Sequence, residues 1–212
     1  MIKALIFDCW DTLFGSKIEP HPFSPFAEKV GRSMQDYEFI KVFEKYFMLE
    51  KHLDLEVPIK KLLNELSIDY SENSVTKLKS MLEKAFNSLK VFPETLPVLE
   101  DLKKNYKLGL ITNTFYQSFR KLEQNFRVSE IFDVILKSYE TKILKPDPKI
   151  FEIMIRKLNV NKEGALMIGD SLQDDVQAAE NFGIKGILVD RKGKYPNHIN
   201  RIESLEQLKE FI

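Results

Sequence analysis

Residues 165–189 read ALMIGDSLQDDVQAAENFGIKGILV, and their pattern indicates the fold class. An apolar run at 165–168 ends in an acidic turn, and a helical pattern at 173–182 precedes a second apolar run at 186–189. Short apolar runs are typical of buried parallel strands, and the pattern between them is typical of a helix. The stretch therefore predicts a strand–helix–strand unit of a parallel sheet.

The same alternation recurs along the chain. Further apolar runs occupy 2–7, 107–112 and 132–136, and helical patterns occupy 114–125 and 148–158. Because strands that alternate with helices form parallel sheets with crossover connections, the predicted fold class is α/β with a parallel sheet core.

The chain between the first two predicted strands has a different character. Residues 24–89 contain no convincing strand but carry apolar side chains at helical spacing. The clearest triplets are Ile40, Phe43 and Phe47, and Leu78, Leu82 and Phe86. We predict an insertion of about four helices with its own aromatic core, joined through linkers near 15–22 and 88–94.

Composition narrows the class of partner. The chain has 212 residues, of which 43% are hydrophobic, and its 32 basic residues balance 32 acidic ones. A dedicated nucleic-acid or membrane-surface binder usually has a basic excess, so we expect a small molecule as partner.

Cys9 is the single cysteine, which excludes an internal disulfide. No apolar run is long enough for a membrane span, and we expect a cytoplasmic protein. The oligomeric state stays open, with a monomer as the starting expectation.

Polar side chains follow the apolar runs at the points where the strands are predicted to end. Asp8 follows the first run, Thr112 and Asn113 follow the second, a later loop carries Lys145, and GDSLQDD at 169–175 follows the fourth. In an open α/β sheet, ligands bind at the carboxyl ends of the strands. We therefore expect these side chains to come together.

Such a set of carboxylates makes physical sense beside a cation. Acids crowded into a dry crevice raise one another's pKa and destabilise the fold. Mg²⁺ removes that penalty and suits a site with few carboxylates and a substrate phosphate. Lys145 and Thr112 can then contact phosphoryl oxygens.

Taken singly, each residue has a simpler interpretation. Asp8 is then a helix N-cap, Thr112 a strand-end hydroxyl and Lys145 a surface lysine. Asp147–Pro148 is better explained as the N-cap and first-turn proline of the next helix. For the other residues, their order and spacing taken jointly favour chemistry.

Four motifs in this order resemble the haloacid dehalogenase (HAD) superfamily of phosphotransferases and hydrolases. They are IFDCWDTLF, LGLITNT, KPDPKIFE and MIGDSLQDDVQAAENFGI. The resemblance implies a Rossmann-like sheet, an aspartyl-phosphate intermediate and Mg²⁺. The helical block looks like the family's cap, which selects substrates. The implied division is a core of 1–16 and 91–212 with a helical cap at 17–90.

The resemblance also implies roles for individual residues. Asp8 matches the nucleophile, and Lys145 matches the lysine that neutralises charge. Thr112 and Asn113 match the pair that positions the phosphate. The implied partner is a small phosphorylated metabolite.

The implied metal ligands lie on two of the motifs. Asp8 and Asp170 match the two carboxylate ligands, and Trp10 would supply a backbone carbonyl. Asp175 matches a supporting residue behind them, with Asp174 as the alternative.

Position 10 departs from the family's pattern. Its phosphatases usually have an acid there, which protonates the leaving group and later activates water, but here the next acid is Asp11. Loss of such help typically costs about a hundred- to ten-thousand-fold in rate. Two interpretations stay open. Asp11 replaces the missing acid, or Trp10 packs against the cap and Asp11 bonds local backbone.

Trp10 also keeps two rival functions open. An aromatic at that place is familiar from the family's dehalogenases, where halide leaves without a proton. The acidic GDSLQDD opposes this rival, because that branch needs no metal. The second rival is a phosphate-binding module with little turnover, which the intact nucleophile and lysine oppose. The sequence therefore favours a Mg²⁺-dependent phosphatase.

Overall fold

A computed structural model describes all of residues 1–212. Its strands are β1 (Ala4–Phe7), β2 (Phe14–Ser16), β3 (Leu89–Val91), β4 (Lys107–Thr112), β5 (Val134–Lys137), β6 (Ala165–Gly169), β7 (Lys185–Val189) and β8 (Arg201–Ile202). Six of them form a parallel sheet in the order β5-β4-β1-β6-β7-β8. The predicted α/β fold with a Rossmann-like parallel sheet is confirmed. The strand β1 pairs with β4 on one side and β6 on the other, so the winding direction reverses there.

Ten α-helices connect and flank the strands. They are α1 (Ser24–Lys29), α2 (Tyr37–Met48), α3 (Glu56–Glu65), α4 (Glu72–Phe86), α5 (Thr95–Leu102), α6 (Tyr116–Phe126), α7 (Val128–Ile131), α8 (Ser138–Thr141), α9 (Pro148–Leu158) and α10 (Ala178–Phe182). Short 3₁₀ segments lie at Lys162–Gly164 and Leu205–Glu210, and a π-helical turn lies at Leu172–Gln177. None of the helices has both the length and the apolar character that crossing a membrane requires.

The central strand β1 is buried on both faces of the sheet. Leu5 and Phe7 belong to one hydrophobic cluster, whereas Ala4 and Ile6 belong to another. Successive side chains of a strand point to opposite faces, so both faces need apolar residues. This explains why the strand has a continuous apolar sequence and not an alternating one.

The helices α1–α4 lie between β2 and β3 in the chain, which confirms the predicted insertion of about four helices. Their apolar side chains form a separate cluster of 16 buried residues, which includes Phe43 and Phe47 of α2. Phe115, which lies just after β4, also belongs to this cluster. The insertion therefore has its own aromatic core and packs on the sheet domain through Phe115.

The predicted linkers near 15–22 and 88–94 are not simple connections. They contain β2 and β3, which pair antiparallel with Phe14 opposite Val91 and Ser16 opposite Leu89. Strands of three residues are too short to produce a readable hydrophobic period, so the sequence did not predict them. The two chain segments that connect the sheet to the helical insertion therefore pair as a short two-stranded ribbon.

Candidate active site

The predicted site residues converge at the carboxyl edge of the sheet. Asp8 follows β1, Thr112 ends β4 and Asp170 follows β6. Because the winding reverses at β1, a crevice is expected at this place. A cavity of about 300 Å³ opens here, and Asp8, Asp170, Asp175 and Lys145 are among the residues that line it.

Lys145 joins two carboxylates at the bottom of this cavity. Its Nζ donates to Oδ1 of Asp8 and to Oδ1 of Asp175, at 2.5 Å each. All three side chains are buried. Burial by itself lowers the pKa of Lys145, but the carboxylates of Asp175 and Asp8 outweigh it and raise that pKa above its usual value. The lysine is therefore a charged ammonium, and its two bonds are charge-assisted.

Asn113 holds the backbone of Lys145 in place. Its Oδ1 accepts from the Lys145 N–H at 2.9 Å, and its Nδ2 donates to the Lys145 carbonyl at 3.2 Å. The same Nδ2 also donates to Oε1 of Glu44 on α2 at 3.2 Å. The side chain of Asn113 thus positions Lys145, and its predicted contact with phosphate stays a prediction.

Two neighbouring residues position the carboxylate of Asp175 beside Lys145. The Ser171 N–H donates to its Oδ2 at 3.1 Å. Gly169 leaves the necessary room, since a Cβ there would lie 2.2 Å from Oδ2 of Asp175. Asp175 lies on the π-helical turn, a local geometry that often occurs at functional sites. The roles of Gly169 and Ser171 were not predicted, although their place between an apolar run and two acids was a usable signal.

Asp174 points to the helical insertion instead. Its Oδ2 accepts from Nζ of Lys41 on α2 at 3.1 Å, and that ammonium also contacts Oε2 of Glu44 at 3.1 Å. Of the two neighbouring acids, Asp175 therefore joins Asp8 and Asp170. Lys41 and Glu44 could not be predicted from the sequence, because neither lies in a motif.

The acidic cluster has the chemistry of a site for a small divalent cation. Asp8, Asp170 and Asp175 each offer a carboxylate oxygen, and these oxygens all lie within 4.8 Å of one another. Burial raises the pKa of Asp170 well above its usual value, and the charges of Asp8 and Asp175 raise it further. One lysine cannot neutralise three carboxylates, and hard oxygen ligands suit Mg²⁺.

The contacts of these acids also distinguish them from one another. Both oxygens of Asp175 already accept hydrogen bonds, one from Lys145 and one from Ser171. Asp170 has only a long contact of 3.5 Å with Oγ1 of Thr12. Asp8 and Asp170 are therefore the carboxylates with oxygens to spare for a cation.

Thr112 has a buried hydroxyl group that the protein leaves unpaired. The residue is 1% exposed, and its Oγ1 has no hydrogen-bond partner in the protein. Buried polar atoms normally have a partner. The buried thiol of Cys9 lies close to this hydroxyl. Thr112 is not among the residues that line the cavity, and its contact with phosphate stays a prediction.

The loop after β1 places Trp10 and Asp11 differently. Nε1 of Trp10 donates to Oγ1 of Thr114 at 3.1 Å, and the ring packs against the sheet's hydrophobic cluster. Trp10 also lines the cavity, and its packing against the helical insertion, one of the two interpretations of the sequence, stays a prediction. Asp11 has a φ of 56°, a left-handed conformation that aspartate tolerates, and it lines the cavity. Its N–H donates to the Phe14 carbonyl at 2.7 Å, which is a bond to local backbone.

Arg191 supports this loop from behind and was not predicted to do so. Its guanidinium donates to the Thr12 carbonyl at 2.8 Å and to Oε1 of Glu94 at 2.5 Å. It also lies over the ring of Phe92, 3.8 Å from the ring centroid. These contacts fix the chain just beyond Asp11.

The chain is similar to known proteins over most of its length. A family model described as haloacid dehalogenase-like hydrolase matches residues 26–189. A protein of Methanothermobacter thermautotrophicus named glyceraldehyde 3-phosphate phosphatase is 27% identical, with 100% of each chain covered. The crystal structure of a HAD phosphatase from Thermococcus onnurineus is 26% identical with a TM-score of 0.66, and 99% of this chain and 97% of that one are covered. A 2-haloacid dehalogenase from Pseudomonas syringae shares the fold at 23% identity, with a TM-score of 0.65 and the same coverage.

Proposed function

Because the chain belongs to the haloacid dehalogenase-like hydrolases, we propose that it is a Mg²⁺-dependent phosphatase that hydrolyses small phosphate monoesters through an aspartyl-phosphate on Asp8. Its similarity to a glyceraldehyde 3-phosphate phosphatase and to a HAD phosphatase supports the reaction class. The observation that carries the proposal is the ammonium of Lys145, which joins Asp8 and Asp175 at 2.5 Å each, beside a third acid.

Asp8 and Asp170 are the side chains that would hold Mg²⁺, together with the backbone carbonyl of Trp10. Asp175 would support the ion indirectly, by orienting Lys145 and the other two acids. When bound, the ion supplies positive charge that offsets the repulsion between a carboxylate nucleophile and a phosphate. The raised pKa of the Asp170 carboxyl, caused by burial and by neighbouring acids, supports this assignment.

The chain's own residues would carry the transfer. An oxygen of Asp8 attacks phosphorus, the bond from phosphorus to the leaving oxygen breaks, and an acyl phosphate forms. Lys145 neutralises charge on the phosphoryl oxygens, and the hydroxyl of Thr112 donates to one of them. Asn113 keeps Lys145 in place through its backbone. Water then attacks the same phosphorus, which releases phosphate and restores Asp8.

Asp11 would replace the general acid that Trp10 displaces. Its carboxylate lines the cavity, and the loop that bears it is fixed by Arg191 through the Thr12 carbonyl. A carboxyl group there can give its proton to the leaving oxygen and take one from the attacking water. The indole of Trp10 is engaged with Thr114 and has no proton for this purpose.

Residues 17–90 would act as a cap over a core formed by 1–16 and 91–212. The separate hydrophobic cluster of the insertion supports this division. So does the ribbon of β2 and β3, which lies where the chain leaves and re-enters the sheet domain. A cap of this kind would exclude water from the site during transfer.

Phosphate release with and without Mg²⁺ tests the proposal. Asp8→Asn removes the nucleophile and should abolish release, whereas Asp69→Asn, an exposed site outside the cavity, should leave the rate unchanged. Excess EDTA should stop the wild-type enzyme. Full activity in EDTA, with chloride released from chloroacetate, would support the dehalogenase alternative instead.

A further inference from the structure

The cavity above Asp8 has two walls of opposite character. The core wall consists of Asp8, Lys145, Asp170 and Asp175. The cap wall consists of half-buried apolar residues from the insertion and its ribbon, namely Pro22, Phe23, Met34, Ile40 and Leu89. A phosphate bound at the core wall would direct its organic part to the cap wall.

Aromatic packing behind the cap wall makes it firm. The ring of Phe23 lies 5.1 Å from that of Phe115 and 5.6 Å from that of Phe43, measured between centroids. Phe43 also contacts Phe47 at 4.7 Å. Rings at such distances form favourable pairs, so the wall is a packed apolar surface and not a loose loop.

The charges around the cavity would repel a second anionic group on a substrate. Six acids line it, two of which, Glu44 and Asp174, share the ammonium of Lys41. The six are Asp8, Asp11, Glu44, Asp170, Asp174 and Asp175. Lys145 is the only lysine or arginine among the lining residues, and it is already bonded to two carboxylates. His21 also lines the cavity, but burial lowers its pKa, so at neutral pH its ring is uncharged. A carboxylate or second phosphate would therefore find no free cation.

Polar groups on the insertion side are also engaged. Oγ of Ser16 bonds Oγ of Ser88 at 2.6 Å, and Nδ1 of His21 accepts from the Phe23 N–H at 3.2 Å. Glu44 is bonded to Lys41 and to Asn113. The hydroxyl groups of a sugar would lose water here without gaining equivalent partners, which costs affinity.

We propose that the cavity selects phosphate monoesters whose organic part is uncharged and apolar, with a single aromatic ring as the preferred size. The inference rests on the proposed phosphatase function and deepens it by naming the substrate class. A volume of about 300 Å³ lies at the small end of ligand sites, which suits one ring and its phosphate. Phenolic oxygens are also weakly basic leaving groups, which need little of the proton that Asp11 would supply.

Phenyl phosphate and 4-carboxyphenyl phosphate test the inference as a pair. The carboxylated ester has the slightly better leaving group, so the chemical step alone would favour it. Repulsion at the cavity should reverse the order, with kcat/KM about tenfold or more higher for phenyl phosphate and the difference mainly in KM. Glycerol 1-phosphate should be a poorer substrate than phenyl phosphate, because its hydroxyl groups would find no free partners on the insertion side.

Binding of phosphonates provides a readout that does not depend on turnover. Calorimetry with Mg²⁺ should show phenylphosphonate binding about tenfold or more tightly than 4-carboxyphenylphosphonate. Met34→Arg places a cation on the cap wall and should reverse that preference. Leu53→Arg, at an exposed apolar site of the insertion outside the cavity, is the matched control and should leave it unchanged.

The possible results distinguish the proposed substrate class from the proposed phosphatase function. Phosphate release that is faster for the carboxylated ester or for glycerol 1-phosphate would overturn the substrate class and leave the phosphatase standing. Equal binding of the two phosphonates by the wild-type protein would overturn it as well, whether or not Met34→Arg folds. No phosphate release from any ester in Mg²⁺ would contradict the phosphatase itself.

Discussion

The core wall and the cap wall of the cavity are built by different physical means. On the core wall, Lys145 lies between Asp8 and Asp175, and buried charges hold one another at 2.5 Å. On the cap wall, Phe23 packs on Phe43 and Phe115, and shape and dispersion replace charge. Electrostatic contacts of the first kind demand fixed geometry, whereas apolar packing tolerates exchange of one side chain for another. The proposed chemistry therefore depends on the core wall, and selectivity on the cap wall.

Polar contacts join the two regions at their seam. Lys41 of α2 contacts Asp174, and Nδ2 of Asn113 donates to Glu44. The hydroxyl of Tyr37 also accepts from Nε2 of Gln173 at 3.1 Å. These contacts hold the cap wall above the core wall.

The largest effect is expected for Lys145→Met on the core wall. Removal of the ammonium leaves Asp8 and Asp175 buried without their shared partner, and it removes the charge that faces the phosphate. We expect phosphate release to fall about a thousandfold, with a loss of roughly 3 kcal/mol in unfolding free energy. Steady-state kinetics and urea denaturation measure both. Lys149→Met, an exposed lysine nearby, is the control, and a similar loss there would refute the assignment.

Phe43→Ala should affect the cap wall through stability. Phe43 is fully buried in the aromatic cluster of the insertion, and such truncations typically cost about 3–5 kcal/mol. Selectivity for aryl esters should decline while the remaining folded enzyme still turns over acetyl phosphate. Comparison with Tyr70→Ala, an exposed aromatic of the insertion, isolates the effect of burial. Unchanged stability in Phe43→Ala would mean that the cap wall is not packed as described.

Asp11→Asn should alter how rate depends on the leaving group. Alkyl oxygens need a proton and phenolic oxygens need little, so the variant should lose about a hundredfold on alkyl phosphates and far less on aryl phosphates. A series of phosphates graded by leaving-group pKa would show a steeper slope in the variant than in the wild type. Identical slopes in both proteins would show that Asp11 is not the acid.

Gly169→Ala tests the positioning of Asp175 with a smaller change. The added Cβ would lie 2.2 Å from Oδ2 of Asp175, so that carboxylate must move. We expect a loss of about ten- to a hundredfold in kcat, because small misplacements beside a reacting group are costly. Gly164→Ala is the control, since its Cβ meets only the end of the Asn161 side chain within 3 Å. Equal kinetics for the two variants would mean that Asp175 does not orient the site.

How far the sequence predicted this arrangement also differs between the two walls. Asp8, Thr112 and Asp170 could be placed together because parallel strands end at one edge of a sheet. The choice between Asp174 and Asp175 could not be made, since it depends on the π-helical turn at Leu172–Gln177. An α-helix and a π-helical turn contain the same residue types, so the sequence does not distinguish them.

The contacts of the cap wall were harder to predict from the sequence. Lys41 lies 133 positions from Asp174 in the chain, and nothing near either residue indicates the pairing. The strands β2 and β3 have three residues each, too few for a hydrophobic period. Helical spacing predicted α2 and α4 well, but it identifies only the buried face of a helix. Which of the insertion's side chains line the cavity follows from docking in three dimensions.

The proposed role of Asp8 as nucleophile can be tested by measuring where a phosphoryl mimic binds. Beryllofluoride mimics a phosphoryl group on an aspartate, and fluorine NMR detects the bound form. We predict a bound signal in the wild-type protein that requires Mg²⁺, persists in Asp11→Asn and disappears in Asp8→Asn. A bound signal that survives in Asp8→Asn, or its absence from a wild-type protein that releases phosphate, would contradict the role of Asp8 as nucleophile.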